Sequence, residues 1–116
     1  MSNNKKNQLY LFSQERAEKI LDESLQNEKI AAYLIKETDI GTELFAKLCE
    51  FYVCNRALSD AVGVIEESNE KRANKETGFY DYIISPIEAK ALQSLVYTAD
   101  SVKIELSHYN LSFMVN

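Results

Sequence analysis

Leu44, Leu48, Phe51, Asn55, Leu58, Val62, Ile65 and Asn69 follow one another at steps of four, three, four, three, four, three and four residues. Only a helix turns that spacing into a single ridge, because 3.6 residues complete a turn and alternating threes and fours return to one face. The chain therefore has to hold one helix of about seven turns and cover its ridge. Val53, Ala57, Ala61 and Val64 are expected to widen the ridge on one side.

The rest of the sequence reads as partners for this helix. Ser13 is an expected N-cap with Gln14, Glu15 and Arg16 in the first turn, followed by Ala17, Ile20, Leu21 and Leu25 at helical spacing. Asn27 is expected to restart a helix. Beyond it Ile30, Ala31, Tyr33, Leu34 and Ile35 are dense enough to be buried on most sides. Asp39 or Thr42 would cap the long helix, and the polar run Glu66–Gly78 ends its apolar pattern, with Gly78 as an expected C′ residue. Ser85-Pro86-Ile87-Glu88 is the sharpest local signal. Ser as N-cap, Pro at the first helical position and Glu at the third make a capping box. The helix it starts has its own seam in Leu92, Leu95, Ala99, Val102, Leu106 and Tyr109. Leu9–Phe12 is either a small strand or a lead-in to the first helix.

Three Gly and one Pro in 116 residues provide too few turns for a sandwich or barrel. The expected fold is all-α: a small bundle of three or four helices with one long central helix. A frayed segment is expected at 1–8, and a single helical domain at 9–116. The alternative is α+β with a C-terminal β-hairpin, because residues 101–115 also show strand-like alternation.

Composition narrows function by exclusion. Thirteen Lys and Arg against 18 Asp and Glu leave a net charge of −5, which argues against a general phosphate-binding surface. Cys49 and Cys54 are too few for a disulfide framework, and on one helix they would point about 140° apart. Reduced core thiols and a cytoplasmic location are the expectation. No run of apolar residues approaches the ~20 needed for a membrane span.

The chemistry-bearing residues are sparse. Glu105 and His108 match one Glu-x-x-His element of a di-iron bundle, but such a site needs two elements and further Glu, and His108 is the one histidine. It is also the one base for a Ser–His–Asp or Cys–His arrangement, with no G-x-S-x-G turn to present a nucleophile. Adjacent carboxylates such as Asp22-Glu23 and Glu66-Glu67 diverge on helices, and Gly41, Gly63 and Gly78 form no phosphate loop. The expectation is a non-enzyme with no metal and no cofactor.

Two binding readings compete. Residues 55–72 loosely resemble a helix-turn-helix with Gly63 at the turn, which would make the protein a DNA-binding regulator. Asn69 then stands where an apolar anchor belongs, and Glu66, Glu67 and Glu70 would face phosphates with only Lys71 and Arg72 to offset them. The favoured reading is protein–protein binding: an adaptor, a chaperone-like factor, or an inhibitor from a phage or mobile element. Its expected partner surface is Phe79, Tyr80 and Tyr82 with Glu66, Glu67 and Glu70. A homo-oligomer is expected through Leu48, Phe51, Asn55, Leu58 and Val62, with Asn55 meeting its own copy.

Overall fold

The computed structural model describes residues 10–37 and 39–109. The segment expected to fray at 1–8, and residues 110–115 of the hairpin alternative, lie outside them. In chain order the elements are β1 (Tyr10–Ser13), α1 (Gln14–Glu37), α2 (Thr42–Ser68), β2 (Lys71–Ala73), β3 (Tyr80–Ile84) and α3 (Pro86–Leu106), with a closing 3-10 turn at Ser107–Tyr109. The long central helix is present and the molecule is mostly helical. The all-α expectation is corrected by a three-stranded antiparallel sheet in the order β1-β3-β2, so the class is a helix-dominated α+β. Residues 101–109 are helical, as the continuous seam predicts, so the alternative of a hairpin at 101–115 does not hold for its described part.

Local rules account for most helix ends. The Ser13 hydroxyl accepts from Arg16 N at 3.1 Å, capping α1 as expected. Both arms of the Ser85–Glu88 box are made, at 2.8 and 3.2 Å, and Pro86 opens α3. Neither Asp39 nor Thr42 caps α2. Gly41 holds that position without a side-chain bond. No break occurs at Asn27, so α1 runs through it. Glu88 also accepts from the Asn69 amide at 3.0 Å, which ties the end of α2 to the start of α3. The Ser85 backbone N–H first, then the Asn69 and Ser85 side chains, hold the Glu88 carboxyl below the ordinary glutamate value against an opposing desolvation. A depressed carboxylate adds stability that is present above the unfolded value, about 4.3, and is lost as pH falls through the folded one. The melting difference between wild type and Glu88→Gln should therefore be full at pH 6 and shrink below pH ~4. A difference independent of pH would contradict this coupling.

α2 packs along both α1 and α3 and forms the middle of the helical layer. α3 runs antiparallel to it. The Asn69–Glu88 bond marks one end, and the Lys47–Glu105 pair (3.2 Å) and the Tyr109–Glu43 hydrogen bond (2.9 Å) mark the other. The ridge residues Leu48, Phe51, Leu58, Val62 and Ile65 are buried, together with Ala31 and Leu34 of α1 and Leu92, Ala99, Val102 and Leu106 of α3. Phe12, Tyr82 and Ile84 close the core from the sheet. Val53 and Val64 do not widen the ridge. They lie on the opposite side of α2, 64% and 59% exposed. Tyr33 likewise faces solvent instead of joining a buried turn.

Asn55 is buried in the ridge and satisfied within one copy. Its Nδ2 donates to Phe51 O at 2.8 Å, and its Oδ1 accepts from Asn27 Nδ2 at 3.1 Å. Next to it the buried Glu28 accepts from the Ser59 hydroxyl at 3.2 Å and lies 3.7 Å from the Arg56 guanidinium. This polar layer fixes α1 against α2, since sliding either helix would strand a buried polar group. The five residues expected to join copies are thus covered by α1 and α3 of the same chain.

Gly63 lies inside α2, which continues to Ser68. The turn a helix-turn-helix requires is therefore absent, and Lys71 and Arg72 stand on a strand instead of a recognition helix.

Candidate protein-binding site at the sheet end

β3 is the central strand. Phe12 pairs with Tyr82 and Tyr10 with Ile84 on one side, and Lys71 pairs with Tyr82 on the other. Phe79–Ile84 is thus mostly strand. The polar run before it supplies a hairpin loop: Asn74 N donates to Phe79 O, and Gly78 N to Asn74 O, both at 2.9 Å. The Asn74 Oδ1 accepts from Glu76 N at 3.0 Å, and Gly78 takes φ +79, a conformation that suits glycine. Gly78 is therefore a loop residue, ten positions beyond the end of α2, and not its C′.

The expected partner residues separate. Tyr82 is buried beneath the sheet. Burial, then the negative charges of Glu66 and Glu18, push its hydroxyl up from the ordinary tyrosine value, with Glu66 beside the hydroxyl itself. Phe79 and Glu66 are half-buried, while Tyr80, Glu67 and Glu70 are exposed. The Lys71 ammonium sits over the Tyr80 ring, 4.8 Å from its centroid. Of the aromatic trio, Tyr80 is the exposed member.

What the sequence reading missed is the other edge of the sheet. Tyr10 and Leu11 on β1 are 43% and 56% exposed. Beside them an open groove of about 440 Å³ runs between β1, the start of α1 and the first half of α3. Its floor is Phe12, Ile20, Ile84, Ala89, Leu92 and Val96, and its polar residues include Arg16 and Gln93. The signal was present in Leu9–Phe12, an uncharged apolar run just before the Ser13 cap. The two sheet edges differ. β2 is Lys-Arg-Ala, charged and exposed throughout, whereas β1 is Tyr-Leu-Phe-Ser with no charge. Lysine and arginine on an edge discourage further pairing, and an uncharged apolar edge invites it.

The far end of the helical layer holds a second cleft, of about 500 Å³, lined by Glu43, Lys47, Glu50, Glu105, His108 and Tyr109. Its groups are largely paired with one another: Lys47 lies 2.9 Å from Glu50 and 3.2 Å from Glu105, and Tyr109 donates to Glu43. Among the described residues, no group of three or more His, Cys, Asp and Glu side chains could hold a metal. Cys54 is buried, and burial followed by the Glu50 charge pushes its thiol up, away from the reactive thiolate. Among the described residues, no helix is long and apolar enough to cross a membrane.

The chain matches no family model, no curated protein and no solved structure.

Proposed function

We propose that this protein acts by binding other proteins, as a non-enzymatic adaptor or inhibitor that also associates with itself, and that the sheet end is its binding face. The observation that carries this reading is the uncharged β1 edge bordering an apolar groove. An extended segment of a partner would add to such an edge as a strand and place alternate side chains in the groove. Tyr80, at the start of the central strand, supplies a ring with a polar tip of the sort enriched in protein interfaces.

The test is capture from native cells with wild-type protein and with Leu11→Lys and Tyr80→Ala as baits. Both positions are exposed, so the variants should keep wild-type helical circular dichroism and melting. Leu11→Lys should lose at least tenfold of the captured partner, and Tyr80→Ala a smaller share. Equal capture by all three baits would remove the sheet end from consideration.

A further inference from the structure

Lys47 lies 2.9 Å from Glu50 of α2 and 3.2 Å from Glu105 of α3, so the sides of the two helices that carry these carboxylates adjoin one surface. At 100° per residue, Ala57 and Val64 lie within about 40° of Glu50, and Val53 within about 60°. By the same rule Ile87, Ser94 and Thr98 lie within about 20° of Glu105 on α3. Val53, Val64 and Ile87 are 64%, 59% and 81% exposed. Ser94 and Thr98 are also exposed, and Ala57 is half-buried. These side chains are uncharged and mostly small, and they leave a flat face across two adjacent helices. Charges stand at its rims: Arg56 and Asp60, 3.4 Å apart, toward α1, and the exposed Lys90 on α3.

The ties between the helices fix their relative level. Lys47–Glu105 at one end and Asn69–Glu88 at the other put Leu58, midway along α2, level with the Val96–Tyr97 step, midway along α3. We propose that this face binds a second copy of the chain about a two-fold axis at that level, perpendicular to the helices. α2 then lies antiparallel on α2, and α3 antiparallel on α3. The axis sets Arg56 level with Asp60 of the second copy. It also brings Lys90 within about 3 Å, measured along the helix, of the level of Glu105 of the second copy. Two-fold symmetry makes each pairing twice, so opposite charges frame an uncharged centre. The other symmetric arrangement has its axis along the helices and lays α2 on the second copy's α3 with every level kept. It sets Glu50 against Glu105, both of which Lys47 already holds at one level.

Charge and area both fit this occupant. Each copy carries −5, so copies meet most readily where acidic groups are absent or answered by a cation. The centre of the face is uncharged, and Asp60, its nearest carboxylate, is answered by Arg56 of the second copy. A face two helices wide and 21 residues long measures about 20 by 31 Å. That is about 600 Å² in projection, which reaches the low end of the roughly 600–1,000 Å² per partner of specific interfaces.

This contact rests on the self-association in the reading above and leaves the sheet end to other proteins, so the two are measured apart. Sedimentation equilibrium is run on the full chain as wild type and as variants, with circular dichroism confirming that each is folded. Wild type should dimerise. Val53→Glu brings a carboxylate within one turn of Asp60 of the second copy and should weaken the dimer at least tenfold. Tyr33→Glu adds the same charge at an exposed position of α1 and should leave the dimer unchanged. Lys90→Glu and Glu105→Lys should each weaken it at least threefold. An equimolar mixture of those two should form a heterodimer tighter than either variant alone, because each like-charge contact then becomes an opposite pair. A wild type that stays monomeric, equal dimers from Val53→Glu and wild type, or a mixture no tighter than its components each overturn the proposal. Loss of the dimer in Leu11→Lys with a normal Val53→Glu dimer would place the second copy at the sheet end and overturn it too. Equal cellular capture by Leu11→Lys and wild type, with Val53→Glu monomeric, would remove the sheet end and leave this face standing.

Discussion

Replacing Phe51 with alanine is expected to cost about 3–5 kcal/mol and to lower the melting midpoint by roughly 10–25 °C, by the same amount at every protein concentration. Phe51 is fully buried in the ridge of α2. Removing its ring takes away apolar surface and leaves a void that close-packed neighbours fill only in part. The concentration dependence carries the functional content. The ridge is covered by α1 and α3 of the same chain, so its loss acts on the stability of one copy. A ridge shared between copies would give a deficit that changes with concentration by mass action. Val53→Ala, two residues along on the exposed side of the same helix, should stay within about 0.5 kcal/mol. Equal losses at Phe51 and Val53 would mean that the two sides of α2 have been assigned the wrong way round.

The helices were legible because their signals are local or periodic. The Ser13 cap and the Ser85–Glu88 box each depend on residues within a turn, the ridge repeats from turn to turn and is buried from Leu48 to Ile65, and all three stand in the structure. The sheet was not legible, because its pairings are distant. Tyr10 meets Ile84 across more than seventy positions of sequence, and Leu9–Phe12 alone does not say whether such a partner exists. Asn74 and Gly78 around a short polar loop were the missed hairpin signal, obscured because Gly78 also suits a helix end. Asn55 shows the same limit in the site. An asparagine in an apolar ridge calls for a partner amide, and spacing alone cannot distinguish a second copy from Asn27 of the same chain. Tyr80 and Tyr82 differ in exposure for a related reason: register, set by β1 and β2, places Tyr82 between Phe12 and Lys71 over the core.

Tyr82 separates structural support from binding, and two substitutions there should have opposite consequences. Tyr82→Ala removes a buried ring paired with Phe12 across the sheet, and is expected to cost about 3–5 kcal/mol. Partner capture would fall with it only as far as the sheet end loosens, so the capture deficit should follow the melting deficit. Tyr82→Phe keeps the ring and should melt close to wild type near neutral pH, since Glu66 is half-buried and can turn to water. Its effect appears in alkali. Burial and the nearby Glu66 and Glu18 raise the Tyr82 hydroxyl above the ordinary value, so the fold favours its protonated form. That contribution is whole below about pH 10 and is lost as pH rises through the folded value, because the unfolded chain gives up its proton first. Wild type should therefore lose stability above pH ~10 faster than Tyr82→Phe. Tyr109, whose hydroxyl is raised chiefly by its hydrogen bond to Glu43, titrates in both proteins and cancels from the comparison. Parallel stability curves through that range would mean that Tyr82 reaches solvent at the sheet end and is available to a partner after all.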